Sequence, residues 1–171
     1  MTSPAAAVRF RPRCATPLVD RDAGGRAGKA CPVQACGFVH GHNPTPVVAA
    51  TIEHEGAVFL ARGRGWPEKL FARVTGFLEA DESPEKGVLR ELREETGLAG
   101  EIVSFVGAYP FAARNEVLLV FHARASGTVT LSDELEDTKR IPTERLKPWP
   151  FGTGPAVRDW LERGGLVPDR R

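Results

Sequence analysis

A chain of 171 residues is predicted to form one main domain with room for a small additional unit. Its apolar content of 42%, charged content of 26% and net charge of +1 are ordinary for a globular protein, and they exclude a general attraction to nucleic acid or anionic membranes. The sequence has no run of about 18 apolar residues, and its N-terminus has no apolar stretch of signal-peptide length. We therefore expect a cytoplasmic protein.

The first 43 residues differ in composition from the rest of the chain. They are rich in Gly, Pro and Arg, show little hydrophobic periodicity, and contain all three cysteines of the chain, Cys14, Cys31 and Cys36. An odd number of cysteines argues against a closed disulfide framework. We predict an arm over residues 1–43 and a main domain over residues 44–171.

From residue 46 onward, short apolar runs alternate with helical segments. Strands are predicted at 47–52 and 57–62, joined as a hairpin by EHEG, and then at 71–78, 102–109 and 116–125. Residues 132–140, SDELEDTKR, are predicted as an acidic turn before a short strand near 140–141. Helices are predicted at 84–96 and 154–163, the second capped by Thr153. This mixed order predicts an α/β (α+β) fold with a mixed β-sheet.

The first helix has clear local boundaries. Ser83 is a good N-cap, Pro84 suits the first helical position, and Gly97 suits a left-handed C-terminal residue. These residues predict a helix whose length is set locally.

Two arcs of this helix carry different side chains. At about 100° per residue, one arc is acidic and contains Glu91, Glu94 and Glu95. The adjacent arc should face the core and contains Leu89, Leu92 and Thr96. An acidic solvated face is one interpretation, but Lys86 is the only lysine of the helix, and clustered carboxylates are what a hard divalent cation requires. The pattern favours a metal site for a phosphorylated substrate.

A longer motif surrounds these carboxylates. Its fixed positions are Gly76, Glu82, Arg90, Glu91, Leu92, Glu94, Glu95, Gly97 and Leu98. This motif resembles the Nudix box at every fixed position and spacing. The resemblance extends from about residue 46 to residue 161. It implies an α/β/α sandwich with a mixed β-sheet, and a hydrolase that cleaves a diphosphate linked to another moiety, typically a nucleoside.

The resemblance also implies roles for the residues of the box. Mg²⁺ or Mn²⁺ would be held by Glu91, Glu94 and Glu95, with the Gly76 carbonyl as a further ligand. Arg90 would orient a metal-binding glutamate, and Glu82 would hold Arg90 in place. The general base would be Glu94, Glu95 or a carboxylate outside the box. Glu134 is the outside candidate, with Glu136 and Asp137 as close competitors, and a solvated turn charge is the alternative for Glu134.

The arm resembles the zinc ribbon that precedes the Nudix domain in NADH pyrophosphatases. Two Cys-x₂-Cys knuckles would bind tetrahedral Zn²⁺ in such a ribbon. Arg11 stands here at the position of the first cysteine, so Cys14, Cys31 and Cys36 supply three of four ligands. His40 or His42 is a candidate for the fourth ligand, and a polar loop role is the alternative for both.

The substrate depends on the segment AYPFAARNE at 108–116, which replaces the SQPWPFPxS signature of NADH pyrophosphatases. This departure favours ADP-ribose or a related nucleoside diphosphate derivative; NADH is the other main candidate, and a non-nucleotide diphosphate is a third alternative. Tyr109 and Phe111 are predicted to stack on a base, and Arg114 to pair with phosphates. Core packing of Phe111 and a loop charge at Arg114 are the alternatives.

A ligand-sensing or nucleic-acid-binding regulator without turnover is the alternative function, because residues 9–29 carry an excess of positive charge. The intact box favours the hydrolase. We expect a small nucleotide substrate and no membrane partner, and we do not expect nucleic acid as a partner. The resemblance is compatible with a homodimer.

Overall fold

The computed structural model describes residues 8–22, 24–25 and 27–164. The chain divides into two compact units. One unit is Met1–Pro44 with Ala112–Asn115, and the other is Thr45–Phe111 with Glu116–Arg171. In the described part of the chain, no helix is long and apolar enough to cross a membrane.

The arm contains a small antiparallel sheet that its sequence pattern does not predict. Its strands are β1 (Val19–Asp22), β2 (Ala27–Ala30) and β3 (Val39–His40), in the order β1-β2-β3. A 3₁₀ turn at Gln34–Cys36 lies between β2 and β3. Strands of two to four residues are too short for an alternating pattern to be recognised.

The main unit is built on a mixed six-stranded sheet. Its strands are β4 (Thr45–His54), β5 (Ala57–Gly63), β6 (Val74–Phe77), β7 (Ala99–Phe111), β8 (Glu116–Ser126) and β9 (Leu135–Ile141). The order is β7-β8-β4-β5-β9, with β6 paired to the first half of β4. The β4–β8 pair is parallel and the other pairs are antiparallel. The predicted hairpin between β4 and β5 is confirmed, with Glu55 and Gly56 both at positive φ in its turn.

The two helices cover opposite faces of this sheet. Helix α1 (Pro84–Thr96) covers the face on which Val48, Ala50 and Ile52 of β4 pack with Val88 and Leu92. Helix α2 (Gly154–Arg163) covers the face of Val47 and Ala49, with Ala156, Val157 and Trp160. The predicted α/β/α sandwich with a mixed sheet is therefore confirmed.

Several predicted boundaries are wrong. The third strand is only Val74–Phe77, because the preceding residues leave β4 and make an isolated bridge between Ala72 and Ala61 of β5. The predicted acidic turn at 132–140 contains strand β9, which pairs with β5 at the edge of the sheet. Charged side chains are tolerated there because an edge strand exposes them to solvent. Thr153 precedes α2, but its side chain makes no capping hydrogen bond.

Candidate active site

Helix α1 presents its glutamates at positions that local interactions determine. The Ser83 hydroxyl accepts a hydrogen bond from the Lys86 N–H at 3.4 Å, and Pro84 occupies the first turn. Gly97 ends the helix at φ 72°, and its N–H donates to the Arg93 carbonyl at 2.9 Å. The predicted helix 84–96 is confirmed at both ends.

The core-facing arc anchors this helix. Leu92 and Thr96 are fully buried, as is Val88, which the sequence interpretation left out, and Leu89 is partly buried against the same cluster. The Thr96 hydroxyl donates to the Leu92 carbonyl. Burial of this arc leaves the acidic arc facing away from the core.

Arg90 is the centre of a network of carboxylates. Its Nε and Nη2 donate to the two oxygens of Glu82 at 2.9 and 3.0 Å. Its Nη1 donates to Glu91 at 2.8 Å and to Glu94 at 3.0 Å, and Nη2 also donates to the Phe77 carbonyl at 3.0 Å. These hydrogen bonds raise the pKa of Arg90, and the bond with Glu82 has the largest effect. The same bond holds the pKa of Glu82 below its usual value. One guanidinium thus fixes three carboxylates.

Glu91 lies against the backbone of β6. A Cβ atom at Gly76 would overlap the Glu91 carboxyl group as it is placed here, so a larger residue would force this carboxylate to move. Burial raises the pKa of Glu91, against the lowering effect of Arg90. Glycine at the first position of the motif therefore allows one of the motif's own carboxylates to approach the backbone of β6.

Of the three glutamates on the acidic arc, Glu95 is the one without a cationic partner among the described residues. Burial, followed by the charges of Glu91 and Glu134, raises its pKa to about 8. No hydrogen bond to its carboxyl group occurs in the described part of the chain, whereas Glu91 and Glu94 share Arg90. This group is stabilised by a proton, or by a cation that takes the place of the proton.

Backbone contacts bring Glu134 to the same region. The N–H of Ser132 donates to the Glu95 carbonyl at 3.0 Å, which ties this loop to the end of α1. The charge of Glu134 acts on both Glu91 and Glu95. The competing residues Glu136 and Asp137 pair with Arg62 at 2.8 and 3.8 Å, and the choice among the three stays a prediction.

The donor set fits a hard divalent cation. Glu91, Glu94, Glu95 and Glu134 offer only carboxylate oxygens, which Mg²⁺ and Mn²⁺ prefer. The oxygens of these carboxylates do not all lie within 4.8 Å of one another, which is the spacing of the thiols of Cys14, Cys31 and Cys36 in the arm. Magnesium retains several of its own waters, so a loose arrangement of carboxylates is compatible with its binding.

The predicted substrate residues lie in different surroundings. The Tyr109 hydroxyl donates to Asp159 of α2 at 2.7 Å, and burial, followed by Asp159, raises its pKa to about 12. Tyr109 and Phe111 both pack partly buried against the core on the α2 face. Arg114 lies on the exposed 3₁₀ turn Ala112–Arg114. Their roles toward a substrate stay predictions.

The sequence interpretation missed two residues near the box. Arg73 is 3% exposed, none of its three guanidinium nitrogens has a hydrogen-bond partner among the described residues, and burial lowers its pKa to about 9. Its position inside the apolar run FARVTGFL was the available signal. Phe77 follows Gly76 and is 60% exposed, although it belongs to the apolar run predicted as the third strand.

The arm contains a second cluster of metal-binding side chains. The Sγ atoms of Cys14, Cys31 and Cys36 all lie within 4.8 Å of one another, and all three cysteines are free thiols. No other set of three His, Cys, Asp or Glu side chains meets this criterion in the described part of the chain. Neither His40 nor His42 joins the thiols as a fourth ligand.

Two backbone turns bring the thiols together. In the first, the Ala15 N–H donates to the Arg11 carbonyl at 2.9 Å, and Ala15 has φ 51° directly after Cys14. In the second, the N–H of Cys36 donates to the Val33 carbonyl at 2.9 Å, and the next residue, glycine, has φ 63°. The two turns thus present their cysteines in a similar way.

Arg11 lies beside these thiols. Its side chain hydrogen-bonds to Cys14, which raises the pKa of Arg11, and its guanidinium carbon is 5.7 Å from the centre of the Phe38 ring. The Cys14 thiol is 3.0 Å from the Thr16 hydroxyl, and this hydrogen bond lowers the pKa of Cys14 to about 7. Three thiols of this spacing fit a soft cation such as Zn²⁺.

Comparison with known proteins agrees with the fold and the motif. A family model described as the NUDIX domain matches residues 42–162. The chain belongs to the Nudix family.

Curated relatives of this Nudix chain include two bacterial proteins named NAD-capped RNA hydrolase NudC. The one from Mycobacterium bovis is 38% identical over 90 residues, which cover 50% of this chain and 29% of that protein. The one from Pseudomonas aeruginosa is 30% identical over 122 residues, which cover 70% of this chain and 43% of that protein. The matched segment therefore spans less than half the length of these relatives.

Solved structures share the fold. A NUDIX hydrolase from Nitrosomonas europaea superposes with a TM-score of 0.74 at 23% identity, over 94% of both chains. An ADP-ribose pyrophosphatase from Streptococcus suis superposes with a TM-score of 0.59 at 20% identity, over 71% of this chain and 92% of the other.

Proposed function

We propose that this Nudix domain hydrolyses the diphosphate linkage of a nucleoside diphosphate derivative, with Mg²⁺ or Mn²⁺ bound at the box. The Arg90 network carries the proposal. The Arg90 guanidinium donates hydrogen bonds of 2.8–3.0 Å to Glu82, Glu91 and Glu94, and these bonds hold the three carboxylates in fixed positions. Such preorganisation has a clear use in phosphoryl transfer, where catalysis is mostly positioning and charge stabilisation.

Some residues of the site would hold the cation, and others would transfer a proton. Glu91 and Glu94, oriented by Arg90, would hold the cation together with Glu95. When bound, the cation supplies charge neutralisation for the diphosphate in the transition state. Glu95 and Glu134 make no contact with Arg90, so their oxygens are the ones available to take a proton from the attacking water.

The substrate class follows from the relatives and from the altered segment at 108–116. Relatives named as hydrolases of NAD-capped RNA, and a solved structure named as an ADP-ribose pyrophosphatase, support an adenosine diphosphate derivative. We place ADP-ribose first and NADH second, because little of the NADH pyrophosphatase signature is present. Tyr109, Phe111 and Arg114 are the residues proposed to contact it.

The arm, residues 1–43, is proposed as a separate small domain that precedes the hydrolase domain, residues 44–171. Cys14, Cys31 and Cys36 are proposed to hold Zn²⁺, on the basis of their mutual distances. Zinc bound here would link the turn that carries Cys14 to the turn that carries Cys36.

Hydrolysis assays test the main proposal. The purified chain with Mg²⁺ or Mn²⁺ is incubated with ADP-ribose, NADH, Ap₄A, nucleotide sugars, (d)NTPs and NAD-capped RNA, and products are separated by chromatography. Glu95→Gln should lower kcat roughly 10²–10⁴-fold, whereas Glu68→Gln, an exposed loop substitution, should leave it unchanged. Absence of hydrolysis of every substrate, combined with salt-dependent binding to DNA or RNA, would instead favour the regulator.

A further inference from the structure

Three thiols in the arm lack a fourth protein ligand. Zinc in proteins is four-coordinate, and a site with three protein ligands leaves one position for a ligand from solution. Within the described residues, no further Cys, His, Asp or Glu atom joins the cluster of Cys14, Cys31 and Cys36. Cys31 is buried, whereas Cys14 is exposed, so the cluster is open to solvent on the Cys14 side.

Arg11 stands where a fourth thiol would be expected, and it cannot act as a ligand. A guanidinium carries only donors and has no lone pair to offer a cation. It can, however, donate to a thiolate, and its side chain already hydrogen-bonds to Cys14 and lies within electrostatic range of all three cysteines. Its Nε is buried without a hydrogen-bond partner among the described residues, and its guanidinium carbon lies 5.7 Å from the centre of the Phe38 ring.

The total charge of the three thiolates and Arg11 favours a divalent ion over a trivalent one. Three thiolates around a divalent cation leave one negative charge, which Arg11 balances. Three thiolates around a trivalent ion would be neutral and would gain nothing from a neighbouring guanidinium. Soft thiolate ligands together with this charge favour Zn²⁺ or a similar divalent ion.

We propose that the arm holds one soft divalent cation through Cys14, Cys31 and Cys36 plus one exchangeable ligand from solution, and that Arg11 balances the charge of this centre in place of a fourth protein ligand. The inference rests on the proposed zinc site and is independent of hydrolysis at the box. It makes the arm an open metal centre, able to take up a small neutral or anionic ligand, rather than a closed structural one.

Cobalt titration of the full chain tests this assignment. Co²⁺ gives a thiolate-to-metal charge-transfer band, which carboxylate sites do not give, and its ligand-field bands report the ligand set. We expect saturation at one equivalent, loss of the band in Cys14→Ser, and a spectral change when imidazole is added to the loaded protein. Arg11→Cys supplies a fourth thiolate, so it should bind more tightly than the wild type and should not respond to imidazole.

Charge balance is tested by two matched arginine substitutions. Arg11→Gln should weaken Co²⁺ and Zn²⁺ binding roughly 10–100-fold, as loss of a group that supports metal ligands does. Arg13→Gln removes the same charge from an exposed position of the same turn and should change binding little. Equal effects of the two substitutions, a wild-type spectrum insensitive to imidazole, or no tighter binding by Arg11→Cys would overturn the proposal.

The same experiments distinguish an incorrect metal-site proposal from an incorrect hydrolase proposal. Glu95→Gln should keep the cobalt charge-transfer band while losing hydrolysis. Absence of the band in a chain that hydrolyses its substrate would reject the arm site alone.

Discussion

Replacing Glu95 with Gln should stabilise the metal-free protein at alkaline pH and have little effect at acidic pH. Burial, with the charges of Glu91 and Glu134, raises the pKa of Glu95 from 4.5 to about 8. The folded protein therefore holds this proton more tightly than the unfolded chain does. The stability that this provides is fully present below about pH 4.5 and is lost as the pH rises through about 8. Gln cannot ionise, so the variant avoids the loss.

The size of the effect follows from the pKa shift. Each pKa unit corresponds to about 1.4 kcal/mol, which gives an upper bound of roughly 5 kcal/mol for Glu95. The side chain keeps part of its exposure, and solvent screening reduces the value to about 2 kcal/mol. A gain of this size should raise Tm by roughly 4–8 °C.

Thermal and urea unfolding in EDTA, from pH 5 to pH 9, measure this difference. The advantage of Glu95→Gln should grow with pH, whereas Glu68→Gln should follow the wild type throughout. Adding Mg²⁺ in place of EDTA at pH 9 should stabilise the wild type more than the variant, because a cation takes the place of the missing proton. If Glu95→Gln is no more stable than the wild type at pH 9 in EDTA, Glu95 is not a destabilising charge.

Three further substitutions test other parts of the structure. Arg90→Lys loses the paired hydrogen bonds to Glu82, so calorimetry should find Mg²⁺ binding weaker by roughly 10–100-fold; unchanged affinity would contradict the orienting role. Gly76→Ala places a methyl group where the Glu91 carboxyl group lies, and it should weaken Mn²⁺ binding measured by electron paramagnetic resonance, while an unchanged affinity would mean that Glu91 is not a ligand. Arg73→Met replaces a buried guanidinium without a described partner and should stabilise the protein by on the order of 1–4 kcal/mol in urea unfolding; destabilisation would reveal a partner for Arg73.

Helix α1 shows what local sequence can predict. Ser83, Pro84 and Gly97 act within one or two turns of themselves, so they set both helix ends without help from the rest of the chain. The same holds for the acidic arc, since helical geometry alone places Glu91, Glu94 and Glu95 together. The contacts of Arg90 with Glu82 and Glu94 were expected because all three residues belong to one continuous motif.

Strand β9 and Arg73 show where local sequence fails. The segment Leu135–Ile141 is acidic and polar, which resembles a turn, but its pairing with β5 and the ion pair of Arg62 with Glu136 link residues more than 70 positions apart. Arg73 directly precedes β6, which pairs with β4, and its buried guanidinium lies within electrostatic range of Tyr109, which packs on the α2 face. Neither pairing can be derived from the residues nearby.

The two metal-binding clusters follow one rule and differ in their chemistry. In both proposed sites, groups that become anionic on binding a metal lie beside a single arginine: Arg11 beside three thiols, and Arg90 beside the carboxylates of the box. In the arm, one divalent cation completes the balance. At the box, Arg90 hydrogen-bonds to three carboxylates, while Glu95 and Glu134 add two more that pair with no guanidinium among the described residues. One divalent cation cannot neutralise that excess.

We therefore expect the box to bind more than one Mn²⁺ per chain at alkaline pH, where protons compete least with cations for Glu95. Zinc loaded first should occupy the thiols, because hard and soft cations sort between carboxylate and thiolate sites. Electron paramagnetic resonance of the zinc-loaded chain then counts Mn²⁺ at the box alone, and Glu95→Gln should lower the count or weaken the last ion bound. Saturation of the wild type at a single Mn²⁺ would show that protons or the substrate, rather than a second cation, compensate the remaining carboxylates.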